Sequence, residues 1–144
     1  MSIVTDQPDG APCTCGGRGC VETIASGPNM ARWARDNGWD APPEADAKEL
    51  ADAANAGDPL ALKAFRRGAT AVAAMIASVG AVCDLDRVVI GGGVAKSGAL
   101  LFDPVREVLA VHAGLDFLHD LKVVPAELGG DAGLVGAASL VISA

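Results

Sequence analysis

Three cysteines lie within eight residues, at Cys13, Cys15 and Cys20, and glycines occupy most of the positions between the last two. Glycine permits the left-handed backbone turns that a chain needs in order to fold back around a small cation. Thiolates at this density suit tetrahedral zinc, which takes four ligands from cysteine, histidine or carboxylate side chains. The run therefore predicts a metal site to which the local sequence supplies three of the four ligands.

The remaining cysteine and the two histidines do not decide which residue is the fourth metal ligand. Cys83 stands alone in an apolar segment, and His112 and His119 lie near a predicted helix end. Either histidine could be a distant metal ligand or an ordinary exposed side chain. Because the thiols are clustered, a metal in a reducing compartment fits better than a disulfide framework, and we expect a cytoplasmic protein.

The composition indicates one globular domain. The 144 residues are 51% hydrophobic and 20% charged, and the net charge of −7 argues against a nucleic-acid surface. The longest uncharged run, residues 68–83, is shorter than a membrane span and predicts a buried helix. No basic segment followed by an apolar stretch opens the sequence, so we expect no secretory signal.

Periodicity and turn residues predict alternating helices and strands after an extended lead over residues 1–12. Aspartates and prolines mark several starts, such as Asp58 as an N-cap with Pro59 at the first helical position. The predicted helices run from Ser26–Pro28 to Asn37, from Asp46 to about Ala56, from Pro59 to Val82, from about Leu100 to Val111 and from Ala132 to Val141. The predicted strands are Arg87–Ile90 and Leu121–Pro125, and this order is typical of an α/β layer with right-handed crossovers.

Two glycine-rich turns and one carboxylate are candidates for ligand binding. Gly91, Gly92 and Gly93 follow the first strand, where bare backbone amides can approach a phosphate or an adenosine group, although such turns also serve packing. Asp131, after Gly129 and Gly130, is interpreted as a helix cap. Glu22 follows Cys20 by two residues, so it is either a carboxylate held for ligand hydroxyls or a surface glutamate at a helix start.

Together these motifs resemble the ROK family of repressors, open reading frames and sugar kinases. The resemblance rests on the pattern Cys13-x-Cys15-Gly-x-x-Gly-Cys20-x-Glu22, on Gly91-Gly92-Gly93-Val94, and on the segment from Asp131 to Gly136. It implies the C-terminal lobe of the actin-like, hexokinase-type (ribonuclease H-like) ATPase fold, with a zinc-binding cysteine loop. We divide this lobe into a zinc loop and lead-in (1–25), a helical segment (26–84) and an α/β nucleotide-side segment (85–144).

The resemblance also implies ligands, residue by residue. Cys13, Cys15 and Cys20 match three zinc ligands, and the fourth is a histidine of a Gly-His pair that would fall just before Met1. Glu22 matches a carboxylate that binds sugar hydroxyls. The loop over the adenosine side of the nucleotide is matched by Gly91, Gly92 and Gly93, and the region of Gly133 and Gly136 lies near it. A homodimer is expected, with hexose and ATP/Mg as ligands of the parent protein.

The family's phosphate loop and the aspartate that acts as its general base have no counterpart in these residues. Since both are central to phosphoryl transfer, we predict the lobe of an ATP-dependent hexose kinase that is inactive by itself, with the N-terminal lobe missing. The alternatives are the sugar-sensing lobe of a repressor, or a zinc-stabilised dimerisation module without catalysis. We expect removal of zinc to loosen residues 10–25 and to abolish sugar binding.

Overall fold

The computed structural model describes residues 10–112, 114, 118 and 120–142, so most of the predicted extended lead lies outside the described residues. Its helices are α1 (Glu22–Ala25), α2 (Gly27–Asp36), α3 (Ala47–Asn55), α4 (Pro59–Cys83), α5 (Ala99–His112) and α6 (Ala132–Ile142). Its strands are β1 (Arg87–Ile90) and β2 (Lys122–Pro125). Short 3₁₀ helices over Val94–Ser97 and Gly129–Asp131 lead into α5 and α6, so the predicted order of elements is confirmed.

Aspartate caps fix the helix starts that the sequence predicts. The Asp58 carboxylate accepts hydrogen bonds from the backbone N–H groups of Leu60 and Ala61, at 2.9 and 2.8 Å. Asp46 forms a capping box with Glu49, and the Asp46 backbone N–H lowers the pKa of the Glu49 carboxyl. These local hydrogen bonds satisfy N–H groups that the first helical turn leaves without partners.

The 25-residue helix α4 crosses the molecule and brings small residues against its neighbours. A Cβ atom added at Gly68 would lie 2.6 Å from the Met30 sulfur of α2, and one at Gly80 would lie 2.8 Å from Leu118. Glycine therefore lets these elements approach closely. Within the described part of the chain, no helix is both long enough and apolar enough to cross a membrane.

In the described part of the chain, two apolar clusters form the core, one at each end of α4. The first joins α2, α3 and the start of α4 around Met30, Leu50 and Phe65. The second joins the rest of α4 to α5 and the strands around Ile76 and Val105. Val94, directly after the glycine turn, packs against both clusters, so that turn sits where the two halves of the core meet.

The two strands form a parallel sheet in which Val88 pairs with Val123 and Val89 with Val124. Val123 is buried and Val88 is half-buried against the second cluster, whereas Val89 is 59% exposed. One face of the sheet thus packs on the helices and the other is open. The crossover between the strands carries α5, which confirms the predicted α/β class.

On α4, some side chains that the apolar pattern predicts to be buried are exposed. The apolar periodicity that includes Met75 and Val79 predicts the helix correctly, but these two side chains are 42% and 45% exposed. The adjacent alanines and Ile76 are buried in the core instead, because closely packed helices have room only for small side chains over most of the contact. The pattern therefore specified the element but not which of its sides is covered.

Candidate functional site

The thiol loop, residues 10–20, is a tight hairpin held by its own backbone. The Cys13 N–H donates to the Gly17 carbonyl at 2.9 Å, and the Gly19 N–H donates to the Ala11 carbonyl at 2.9 Å. Gly10 has φ +68°, and a Cβ atom there would lie 2.5 Å from the Gly19 Cα atom. Both the left-handed conformation and the close approach require glycine at position 10.

The loop brings the three predicted metal ligands together. The Sγ atoms of Cys13, Cys15 and Cys20 all lie within 4.8 Å of one another, and those of Cys15 and Cys20 are 3.6 Å apart. Two sulfurs bound to one tetrahedral zinc at about 2.3 Å would be separated by roughly 3.8 Å. A Cβ atom at Gly17 would lie 3.4 Å from the Cys15 sulfur and 3.6 Å from the Cys20 sulfur, so the loop backbone runs directly beside the sulfur pair. The donor set and its spacing fit a zinc ion.

The thiols differ in acidity because they bond to one another. The backbone N–H of Cys15 lowers the pKa of the Cys13 thiol. The pKa of Cys20 is raised to about 11, first by its hydrogen bond with Cys15 and next by that with Cys13. In the metal-free loop a proton is thus retained among closely spaced sulfurs, and a divalent cation would take its place.

Glu22 begins α1, directly after the thiol loop. Cys20 is tied to this helix because its carbonyl accepts hydrogen bonds from the side chain and the backbone N–H of Thr23, at 2.6 and 2.9 Å. The Asn29 side chain of α2 donates to the Glu22 carbonyl at 2.8 Å. The Glu22 side chain is exposed, so its backbone is fixed while its carboxylate remains open to solvent.

The glycine loop, residues 91–93, leaves β1 at the end of the sheet where a parallel layer usually binds ligands. The Ala126 N–H donates to the Ile90 carbonyl at 2.9 Å and continues the strand pairing up to the loop. Gly92 has φ +90°, and a Cβ atom at Gly92 or Gly93 would meet nothing within 4 Å. The loop backbone is therefore accessible from solvent.

Among the described residues, a larger and a smaller cavity border the glycine loop. The larger, of about 520 Å³, lies between α3 and the 3₁₀ helix after the loop, within the range of small-molecule sites. The smaller, of about 120 Å³, lies between the carboxyl ends of the two strands. The larger is lined by Asp46, Ala47, Lys48, Ala51, Asp52, Asn55, Gly93, Val94, Lys96 and Ser97. Gly93 touches the larger cavity, and Gly91 and Gly92 touch the smaller one.

Gly27 lies where the starts of α2 and α3 approach the residue that follows the glycine loop. It is buried at the start of α2, and a Cβ atom there would lie 2.7 Å from the Ala47 Cβ atom and 3.6 Å from Val94. The start of α2, the start of α3 and the residue after the glycine loop therefore converge on one glycine. Sequence reasoning missed this role, since Gly27 reads only as part of a helix start.

Lys96 is a second residue that the sequence did not single out. It is exposed and lines both cavities, and among the described residues no hydrogen bond or ion pair engages its side chain. A cation beside open backbone amides suits an anionic ligand. Its position three residues after a glycine turn is the one signal that could have suggested it.

Other predicted residues are not gathered at these sites. Gly133 and Gly136 lie in α6 and line neither of the two cavities at the glycine loop. Asp131 ends the 3₁₀ helix that precedes α6. His112 is exposed, and its Nδ1 atom lies 2.9 Å from the Val108 carbonyl of its own helix. His119 lies outside the described residues, and no fourth ligand joins the thiols within the described part of the chain.

Comparison with known proteins identifies the class to which this α/β layer belongs. The family model of the ROK family matches residues 3–144. The glucokinase of Thermotoga maritima is 36% identical over 153 residues, which cover 98% of this chain and 48% of that enzyme. The chain is a member of the ROK family, as its motifs predict.

Solved structures agree with this assignment. A ROK family glucokinase from Streptomyces griseus, in complex with glucose and AMPPNP, matches with a TM-score of 0.80 and 35% identity, over 95% of this chain and 49% of that one. A ROK family transcriptional regulator matches with a TM-score of 0.70 and 25% identity, over 85% of this chain and 33% of the regulator. The chain thus spans about half the length of the kinases that it matches, and its similarity to a kinase is the stronger of the two.

Proposed function

We propose that this chain is the sugar- and nucleotide-binding half of an ATP-dependent hexose kinase, with glucose as the first sugar to test. The observation that carries the proposal is the presence of both candidate sites in this one lobe. A loop suited to zinc fixes Glu22 on one side, and an open glycine loop borders a cavity of about 520 Å³ on the other. Membership of the ROK family, and similarity to glucokinases, support it.

Cys13, Cys15 and Cys20 would hold the zinc ion, whose role is structural. One cation would replace the thiol protons and draw the sulfurs together. The segment that leads from Cys20 into α1 would then be fixed. Glu22 begins α1 directly after this segment, and its carboxylate can accept hydrogen bonds from sugar hydroxyls. A carboxylate on a rigid support orients a sugar better than one on a mobile loop.

The glycine loop would bind the nucleotide. Its backbone N–H groups can approach the nucleotide without a Cβ in the way, Lys96 can balance phosphate charge, and the cavity beside α3 can receive the nucleoside. When bound, Mg·ATP supplies the phosphoryl group that is transferred. Because the family's general base and phosphate loop have no counterpart in these residues, we expect binding without turnover by this chain alone.

Calorimetric titration of the zinc-loaded chain with glucose, and separately with ATP, tests the proposal. Glu22→Gln should remove glucose binding while zinc content stays unchanged, and Glu44→Gln, an exposed glutamate outside both sites, should leave it intact. Lys96→Gln should weaken ATP binding roughly fivefold, as expected for an exposed ionic contact, with Lys63→Gln as the matched control. A folded, zinc-loaded chain that binds neither glucose nor ATP contradicts the proposal.

The homodimer implied by the resemblance remains a prediction. The two alternatives are not favoured, since the stronger matches are kinases rather than regulators. A dimerisation module without ligands would give no saturable response in either titration.

A further inference from the structure

Two sulfur atoms of the thiol loop are in direct contact. The Sγ atoms of Cys15 and Cys20 are 3.6 Å apart, and a disulfide bond would bring them to about 2.0 Å. The Cys15 side chain is exposed, so a small oxidant can reach its sulfur from solvent. The pair therefore meets the two requirements for oxidation, which are proximity of the sulfurs and access to one of them.

The backbone between these cysteines can absorb the movement that a bond requires. Three of the four intervening residues are glycines, and Gly16 and Gly19 have φ +89° and +70°. Cys20 is tied to α1 because its carbonyl accepts hydrogen bonds from Thr23, whereas Cys15 lies at the tip of an exposed turn. Cys15 is thus the member of the pair that moves, and glycine backbone permits that movement at little steric cost.

Pairs that include Cys13 fit a disulfide less well. Only Thr14 separates Cys13 from Cys15, and a disulfide across one residue closes a small and strained ring. The Cys13 backbone is also held on both sides, since its N–H donates to the Gly17 carbonyl at 2.9 Å and its carbonyl accepts from the Gly16 N–H at 3.0 Å. The geometry therefore favours a bond between Cys15 and Cys20.

We propose that Cys15 and Cys20 form a reversible disulfide that displaces zinc from the thiol loop. The oxidant is a low-molecular-weight disulfide of the glutathione class. The Cys15 thiolate attacks one sulfur of this oxidant and releases one glutathione thiolate, and the Cys20 thiolate then attacks the Cys15 sulfur and releases the second. One disulfide forms in the chain while the oxidant is reduced to two thiols, so two electrons pass from the loop to the oxidant.

The disulfide and the metal exclude each other. Zinc binds thiolates, and a disulfide sulfur no longer carries the negative charge of a thiolate. Oxidation leaves Cys13 as the one thiol of the cluster, and no further ligand joins the cluster in the part of the chain that the structure describes. Zinc is then released, and Glu22 loses its fixed support. This consequence rests on the proposed function, in which zinc fixes the loop and Glu22 binds sugar.

Tryptic mapping tests the pair directly, because Arg18 lies between the two cysteines. Cleavage after Arg18 separates residues 1–18, which contain two thiols of the cluster, from residues 19–32, which contain the third. In a Cys83→Ser background, treatment of the zinc-loaded chain with oxidised glutathione should join these two peptides, and a dithiol should separate them again. A colorimetric chelator should detect about one zinc ion released for each joined pair of peptides.

Cys13→Ser and Cys15→Ser are the matched variants, since each leaves one thiol on either side of the cleavage site. Cys13→Ser keeps the proposed pair and should join the peptides as fast as the parent chain does. Cys15→Ser should join them at least roughly tenfold more slowly. Both variants are compared without zinc, so that differences in metal binding do not enter, and circular dichroism checks that their helices are intact.

Three results would overturn the inference. These are peptides that stay separate under oxidation, joined peptides in a chain that keeps its zinc, and equal rates of joining in the two variants. Glucose titration before and after oxidation tests the link to Glu22, since oxidation should abolish binding and unchanged binding contradicts the link. A reduced, zinc-loaded chain that binds no glucose would count against the proposed function alone, because peptide mapping and zinc release do not depend on sugar.

Discussion

The thiol loop and the glycine loop both present backbone rather than large side chains, but different forces hold them. Most of the thiol loop is exposed, and its shape depends on hydrogen bonds within residues 11–19 and on the close approach of Gly10 to Gly19. The glycine loop continues a paired strand and is followed by Val94, which packs against both core clusters. A loop without burial needs another source of rigidity, and a metal ion can supply it.

The largest contrast between the loops should follow loss of the metal. Chelation, or Cys15→Ser, should raise amide exchange over residues 10–25 by roughly a hundredfold or more, because the cation would cross-link three sulfurs of a loop that is mostly exposed. Residues 87–97 should exchange as before, since the core supports them. Hydrogen-exchange mass spectrometry with metal analysis measures both regions in one experiment.

Cys83→Ser is the control for that experiment. This thiol is exposed at the end of α4 and lies outside the cluster, so its loss should change neither zinc content nor exchange. If chelation leaves residues 10–25 as protected as before, the thiol loop is rigid without metal and the contrast fails.

Gly10→Ala should damage the thiol loop more than Gly92→Ala damages the glycine loop. Both glycines have positive φ, but only at Gly10 does an added Cβ meet backbone, at 2.5 Å. We expect Gly10→Ala to destabilise the folded thiol loop by about 3 kcal/mol and Gly92→Ala to destabilise the glycine loop by about 1 kcal/mol. Zinc affinity measures the effect of Gly10→Ala, and the melting temperature measures the effect of Gly92→Ala. If both substitutions destabilise the chain equally, the backbone around position 10 shifts to make room for the added methyl group.

Gly27→Ala should disturb the support of the glycine loop, because the added methyl group would lie 2.7 Å from the Ala47 Cβ atom and 3.6 Å from Val94. Pushing α2 and α3 apart should lower the free energy of unfolding by about 2 kcal/mol. Gly130→Ala, where an added Cβ meets nothing within 4 Å, should change it by less than about 0.5 kcal/mol. Thermal or urea unfolding distinguishes the two, and a neutral Gly27→Ala would refute the role of this glycine as the junction.

The pH dependence of ligand binding should also distinguish the two loops. Zinc must displace thiol protons, so its affinity should rise more than tenfold per pH unit near neutrality. In the metal-free chain the pKa of Cys20 is raised from 9.0 to about 11, so the protonated thiol favours the folded loop. That contribution is fully present below pH 9 and is lost as the pH rises towards 11.

Zinc titrations at several pH values measure the change in zinc affinity. Amide hydrogen exchange of the metal-free chain over the same pH range measures the change in stability of the thiol loop. Nucleotide binding at the glycine loop should not share this pH dependence, because no thiol lines the two cavities there. Zinc affinity independent of pH would mean that the sulfurs are not its ligands.

Local signals in the sequence predicted the elements well. Asp58 before Pro59 marked the start of α4, and the valines after Arg87 marked β1. The proximity of Cys13, Cys15 and Cys20 was also predictable, since a short chain with glycines cannot carry these sulfurs far apart. Each of these signals acts through neighbours along the chain, so no knowledge of distant contacts was needed.

Side-chain exposure and long-range contacts were harder to predict from the sequence. Met75 and Val79 share the periodicity of buried positions on α4 and yet face solvent, and α6 is apolar without being packed in this chain. Which side of a helix is covered depends on what lies beside it, and no periodicity within the helix contains that information.

The sequence by itself determined the secondary structure, the cluster of thiols and the family of this chain. Only the tertiary structure decided that Gly27 packs against Ala47 and Val94, that Lys96 lines two cavities, and that Val89 is exposed on one face of the sheet. The physical reason is the range of the interactions. Turns, caps and short loops are set by adjacent residues, whereas contacts between distant elements are set by packing of the whole core.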